Sequence, residues 1–355
     1  MSRFSSALPI LVAGLAAAAL AGCGAGSDAD SAASAAADSV AGSVADSAAD
    51  RHAREEPFVV RPFDPRSGGR WIGNAVCYGP HRDGQRPGER SPSAAELRQD
   101  LRLMAPHWAL LRIYGSSEFA ETLLAVIRDR GFEMKVMLGV WIAPDDPAGN
   151  RREVDAALRL AAAYPDVVLA ISVGNETQVS WSAHRSPLDD LIAHVRRVRA
   201  GVRVPVTAAD DFAFWDRVES RRLAAEVDFL TVHAHPMWNG LQLEDAVAWL
   251  RARAAAVQAR HPERAVVIGE TGWATSVHDR GEQAELIRGR PGEIEQKLFH
   301  DAVRAWAANE QMTVFYFEAF DENWKGGSHP DEVEKHWGLF RADREAKAAI
   351  RSPAR

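Results

Sequence analysis

Cysteine is nearly absent: the 355 residues hold two, Cys23 and Cys77. That excludes a disulfide framework as the organiser of the fold. No basic block stands anywhere, and 42 Lys+Arg against 49 Asp+Glu leave a net charge of −7. Nucleic-acid binding therefore has no electrostatic footing. No glycine-rich phosphate turn follows the first strand-like stretch, which argues against an open doubly wound sheet. No cofactor is expected. What is present is ordinary globular composition, 46% hydrophobic and 26% charged, with tryptophan raised to 11. That suits a chain that needs flat apolar platforms.

The first 22 residues do not read as part of the fold. Arg3 gives a positive start, and Ala7 to Ala21 is an apolar run too short for a membrane span but right for a signal peptide. It ends Leu20–Ala21–Gly22–Cys23. This resembles the lipobox of bacterial lipoproteins, whose cysteine is lipidated as the mature N-terminus. The alternative is an ordinary secretory signal with a chance cysteine. On the lipoprotein reading Cys77 is left as a buried small hydrophobe. Residues 23–50 are Ala, Ser, Asp and Gly with almost no large apolar side chain, a composition that cannot offset its ordering entropy. They read as a disordered tether. Residues 51–70 read as a lead-in, 71–345 as one catalytic domain and 346–355 as a tail. The protein is expected outside the cytoplasm, lipid-anchored in the cell envelope, as a monomer.

From Trp71 onward strand-like and helix-like stretches alternate. The strand candidates are 71–77, 109–113, 135–140, 167–173, 204–208, 229–232, 265–268 and 313–317. Amphipathic stretches at 94–103, 117–130, 151–163, 187–201, 216–225, 243–260 and 292–309 lie between them. Pro92 and Pro187 each follow a serine and read as first helical residues behind an N-cap. Gly131 and Gly201 stand where helix C-caps belong. Eight strands alternating with helices predict a single α/β domain, a (β/α)8 TIM barrel.

In such a barrel, function is built at the C-terminal strand ends. Those ends hold Tyr78, Arg112 with Tyr114, Trp141, Asn175–Glu176, Asp210–Asp211, His233–Ala234–His235 with Trp238, Glu270 with Trp273, and Glu318 through Lys325. The run Ala265–Ile268 is apolar throughout, as a buried parallel strand should be, so packing poorly explains the carboxylate of Glu270 after it. Carboxylates and aromatics crowding one rim are what sugar cleavage requires: two carboxyl groups for acid/base and nucleophilic work, and flat rings for pyranose faces. His233 and His235 share one strand face and invite a metal reading, with Asp210 and Asp211 as the obvious further donors. The reading preferred here is two histidines hydrogen-bonded into a glutamate cluster, with no metal.

Val173–Gly174–Asn175–Glu176, Gly269–Glu270–Thr271–Gly272–Trp273, and Phe317 through Lys325 followed by His336–Trp337–Gly338–Leu339–Phe340 resemble glycoside hydrolase family 17. These are the β-1,3-glucanases and related glucanosyltransferases. The resemblance implies catalytic glutamates after strands four and seven, where Glu176 and Glu270 fall. It implies a retaining double displacement, with Glu270 as nucleophile and Glu176 as acid/base. Arg112 would then hold Glu270 charged, and Asn175 would bond the sugar 2-OH. The two carboxyls should stand about 5–5.5 Å apart. Glu322 and Lys325 resemble the family's charged pair beside the nucleophile, a surface ion pair being the alternative. Glu318 ends the eighth strand and reads as a supporting residue instead of a catalytic one.

Tyr78 and Tyr114 are candidates to reach the sugar or to pack. Trp141, Trp181, Trp215, Trp238, Trp273, Trp324 and Trp337 are candidate platforms, about half of them expected to touch sugar. Tyrosine stands near the place of His235 in plant relatives, so the polar partner of Glu270 departs from the plant pattern. The expected partner is a β-1,3-glucan, hydrolysed or passed to another glucan through the same intermediate. The other readings are a lipoprotein that binds glucan without cleaving it, and a metal-dependent barrel hydrolase.

Overall fold

A computed structural model describes residues 58–351. The stretches read as signal peptide and tether, Cys23 and the first part of the lead-in, residues 1–57 in all, lie outside the described residues, as do residues 352–355. Residues 58–60 carry no regular structure, and Arg61 onward belongs to one compact unit. Among the described residues no helix is long and apolar enough to cross a membrane.

Eight parallel strands close into a barrel: β1 (Asn74–Cys77), β2 (Leu110–Arg112), β3 (Lys135–Val140), β4 (Val168–Asn175), β5 (Val206–Asp211), β6 (Phe229–His233), β7 (Ala265–Thr271) and β8 (Val314–Tyr316). Closure comes from β8 pairing with β1 at Phe315↔Ala75 and with β7 at Val314↔Ile268. Helices α1 (Ala94–Met104), α2 (Ala120–Asp129), α3 (Pro147–Ala163), α4 (Leu188–Gly201), α5 (Ser220–Ala224), α6 (Leu243–Arg260) and α7 (Glu293–Glu310) fall between successive strands. This is the expected (β/α)8 barrel. Its strands read as apolar runs because both faces are covered. Val266, Val267 and Ile268 of β7 are buried, each worth about 1.5–3 kcal/mol of transfer from water.

Several boundaries differ from expectation for local reasons. Ser93 rather than Ser91 caps α1, because Glu96 stands three residues on and closes a capping box with it. Pro187 takes the cap position of α4 instead of its first turn. Gly131 is left-handed at φ 66°, and the Phe132 N–H bonds Ile127 O at 3.0 Å, as at a helix end that turns back on itself. Gly201 stays inside α4 and serves as no such cap. Of the stretch 216–225 only α5 is helical, and a separate short turn of helix, Phe212–Trp215, precedes it with Asp211 as its cap.

The lead-in joins the fold earlier than its composition suggests. The Arg61 N–H donates to Asp228 Oδ1 at 2.8 Å, and Phe63 stacks on Phe229 with centroids 4.4 Å apart. Arg66–Ser67 and Arg70–Trp71 then form a hairpin before β1, which takes Trp71 out of the first strand. The supposed tail also packs. Lys347 Nζ is 2.8 Å from the Asp321 carboxylate, and a short helix, Ala348–Arg351, follows it.

Candidate active site

Glu270 lies near the end of β7 and is almost fully buried. Strand pairing sets His233 of β6 beside it, as its Cα partner. Arg112, the last residue of β2, reaches across to donate to Glu270 Oε1 at 2.6 Å and to Gly269 O at 3.1 Å. Its other nitrogen donates to Asn175 Oδ1 at 2.6 Å, so one guanidinium ties β7 to β4. The Tyr114 hydroxyl donates to Glu270 Oε1 at 3.0 Å, and Arg112 stacks over that ring at 4.6 Å. On the other oxygen, His235 Nε2 lies 3.3 Å away. Burial alone would push the Glu270 carboxyl up. His233, the His235 hydrogen bond and the Arg112 charge outweigh it and hold the carboxyl well below the usual carboxylate range.

Glu176 faces this group from beyond β4 and is partly open to solvent. Its backbone is left-handed at φ 51°, behind Gly174 at φ 75°. A non-glycine residue there costs about 1–2 kcal/mol, sustained only because the surroundings impose it. His233 Nδ1 is 2.9 Å from Glu176 Oε1, and its Nε2 is 3.5 Å from Glu270 Oε1. The imidazole therefore stands between the two carboxylates. One oxygen of each carboxylate and one His233 nitrogen all lie within 4.8 Å of one another. His233 is thus engaged by carboxylates from β4 and β7; these three side chains are a set that could hold a metal ion, and Asp210 and Asp211, the donors read from the sequence, are not in it.

Beside Glu270 sits a second charged group, carried by the segment after β8. Lys325 Nζ contacts both Glu318 oxygens at 2.7 Å and Glu322 Oε2 at 2.9 Å, all three side chains being buried. Glu322 Oε1 also lies 3.3 Å from His81 Nδ1 and accepts from Trp324 Nε1 at 3.0 Å. One ammonium serves two carboxyls. Burial and Glu322 push Glu318 up despite Lys325, whereas Lys325 and His81 overcome burial at Glu322 and hold it low. The exposed ion pair weighed for Glu322 and Lys325 is excluded by their burial. The cluster also explains Gly79: a methyl group there would stand 2.2 Å from Glu322 Oε2.

Five of the candidate sugar contacts are buried instead. Tyr78 is fully buried, its hydroxyl donating to Asp100 Oδ2 at 3.1 Å. Trp273 is fully buried and donates from Nε1 to Arg290 O at 2.9 Å, packing beside Phe299. Trp238 is also buried, as are Trp215 and Trp337. The Trp215 and Trp273 rings, whose Nε1 atoms donate to backbone carbonyls inside the protein, serve the core instead of the cleft. Trp141, Trp181 and Trp324 remain partly open, and Trp141 lies against His184 with centroids 4.5 Å apart. Asp210 and Asp211 belong to β5 itself, not to a following loop, and both are buried.

Sequence reasoning missed several residues here. Glu334 lies in electrostatic reach of Lys325, His235, Glu176 and Glu270; burial first, and the two glutamates with it, push it up to about 7. Its Oε1 has no hydrogen-bond partner among the described residues. The only hint was its place three residues before Trp337. His81 and His184 gave no sequence signal. Glu153, buried on α3, accepts backbone N–H bonds from Ser116 at 2.7 Å and Trp141 at 3.1 Å, fixing the loops after β2 and β3.

Residues 75–338, from β1 through the Lys325 cluster and Glu334, match the model of the BtgE/BtgC glycoside hydrolase domain. The chain belongs to that family. This BtgE/BtgC-type domain is 30% identical over 277 residues to a glucan 1,3-beta-glucosidase of Arthroderma benhamiae, covering 74% of this chain and 86% of the relative. Among solved structures it is similar to an endo-laminarinase from Formosa Hel1_33_131, with a TM-score of 0.70, 28% identity, and 79% and 87% of the two chains covered. A β-1,3-glucanosyltransferase of family 17 from Rhizomucor miehei shares the fold, with a TM-score of 0.65 at 23% identity over 79% of this chain and 98% of that one.

Proposed function

We propose that this BtgE/BtgC-type domain is a retaining glycoside hydrolase acting on β-1,3-linked glucan, with Glu270 as nucleophile and Glu176 as acid/base. The observation that carries the mechanism is spacing: the two carboxylates bring one oxygen each to within 4.8 Å. That lies with the about 5–5.5 Å of retaining enzymes and short of the about 6.5–9.5 Å of inverting ones. Support for the glucan comes from the relatives, a glucan 1,3-beta-glucosidase and an endo-laminarinase.

Glu270 attacks the anomeric carbon while Glu176 gives its proton to the departing glycosidic oxygen. Glu176 then takes a proton from water, which attacks C1 and releases Glu270. Arg112, Tyr114 and His235 hold Glu270 ionised and aimed. Asn175, its amide oxygen bound to Arg112, has its amide nitrogen left to meet the sugar 2-OH. The partly open Trp141, Trp181 and Trp324 are the rings left to stack on further sugar units. The test is the time course of products from linear laminari-oligosaccharides. Shorter sugars with rising reducing ends are expected. Longer oligomers with little free reducing sugar would replace the hydrolase reading by a glucanosyltransferase sharing the same covalent intermediate.

The Leu20–Cys23 motif supports export and lipid anchoring at Cys23 in a bacterial envelope. Mass spectrometry of the mature N-terminus tests this, an unmodified N-terminus beyond Cys23 being the contrary result.

A further inference from the structure

The strained backbone of Glu176 needs a cause, and β5 supplies one. The Glu176 N–H donates to Ala209 O at 2.9 Å, and the Gln178 N–H donates to Asp210 Oδ2 at 2.9 Å. The second oxygen of Asp210 accepts the Asp211 N–H at 2.9 Å. The turn carrying Glu176 is thus pinned on both sides of Thr177, once by a strand carbonyl and once by a buried carboxylate. Asp210 is 1% exposed, so no sugar can reach it. The catalytic sequence above does not use it.

We propose that Asp210 is the positioning residue of the acid/base: its carboxyl group clamps the left-handed turn on which Glu176 is carried. This deepens the retaining-hydrolase reading and rests on it. A plain structural role does not account for the arrangement as well. An N-cap or loop aspartate bonds N–H groups of its own segment, as Asp211 does with Ala213 at 2.8 Å. Asp210 instead reaches to the neighbouring strand's loop, two residues past the group that moves the proton. It also keeps a second carboxyl near Glu176. Burial first, then Glu176, push Asp210 up to about 8, while the Gln178 and Asp211 N–H bonds and, after them, Arg217 oppose them. The other ionisable groups around Glu176 are His233, Glu270, Asp211, Glu334 and His184.

The test exploits the leaving group. Turnover of a laminari-oligosaccharide needs the proton from Glu176. An aryl glycoside with a dinitrophenol leaving group does not, since the C1–O bond breaks with its electron pair leaving as a stable phenolate. Azide likewise needs no base. It attacks C1 of the glycosyl-enzyme, and the Glu270 carboxylate departs with the bonding pair, giving the β-glycosyl azide. In Asp210→Ala, kcat on the oligosaccharide should fall about 10–100-fold with KM little changed, as expected for a displaced catalytic group. The aryl-glycoside burst should stay within about threefold of the parent, and azide should accelerate the steady state. Asp210→Asn, which keeps one acceptor oxygen, should lose less, and it carries the test if the alanine variant fails to fold. Proportional loss on both substrates without an azide effect, or unchanged oligosaccharide turnover, would overturn the proposal. Absence of parent activity on any β-1,3-glucan would instead defeat the hydrolase reading itself.

Discussion

Glu270 lies within a strand and is held by Arg112, Tyr114 and His235, whereas Glu176 lies just past one on a left-handed turn and, among the described residues, has a side-chain hydrogen bond to His233 alone. The difference matches what each carboxyl must do. A nucleophile has to stay ionised in a buried place, so it needs cations and donors around it. An acid/base has to exchange protons with substrate and water, so it needs a fixed position but free oxygens. The same barrel therefore builds one group by saturating its side chain and the other by bracing its backbone.

The largest effect should come from the nucleophile. Glu270→Ala should cut turnover about 10⁴-fold or more on every substrate, with binding of laminari-oligosaccharide retained in calorimetry. Equal residual activity on oligosaccharide and parent would break the comparison at once. Glu176→Ala should cost about 10²–10⁴-fold, but only where the leaving group needs a proton, and kinetics on an aryl glycoside should show the exception. Uniform loss would mean the two carboxyls do not divide the work this way. Arg112→Lys keeps the charge but not the fork that joins Glu270 to Asn175. A fall of about 10–100-fold in kcat/KM is expected, corresponding to one or two charged hydrogen bonds.

These contrasts were only partly legible in the sequence. Hydrophobic alternation gave the eight strands in order, because buried parallel strands are written as continuous apolar runs. It put both glutamates at their strand ends for the same reason. Bonds that cross between elements were not readable. Nothing near Asp210 announces that it reaches the Gln178 N–H, and nothing near Tyr78 announces that its hydroxyl turns to Asp100. Aromatic residues misled in a consistent way. A tryptophan after a strand reads alike whether it faces the cleft or, like Trp273, finds a carbonyl inside the loop core. The lead-in was misjudged because Phe63 and Arg61 act singly, through one stacked ring and one buried aspartate, leaving no periodic pattern.

Two smaller effects sharpen the boundary between cleft and core. Glu334 has its carboxyl raised to about 7 in the folded protein, against about 4.3 unfolded. Its contribution is therefore complete below the unfolded value and is lost as pH rises through 7. Glu334→Gln should flatten the decline of Tm between about pH 4.3 and 7, read by calorimetry across that range. An unchanged slope would place the group in a wetter setting. Tyr78→Phe should remove about 1 kcal/mol of stability through the lost Asp100 bond and leave KM for oligosaccharides unchanged. A raised KM would return Tyr78 to the sugar site.

The division of labour is tested most directly by trapping the glycosyl-enzyme. A 2-deoxy-2-fluoro-β-laminaribioside with an activated leaving group should form a long-lived adduct, and peptide mass spectrometry should find the added disaccharide on Glu270. The first-formed product of the natural reaction should then be the β-anomer. Label on any other carboxylate, or an α-anomer formed first, would contradict the account.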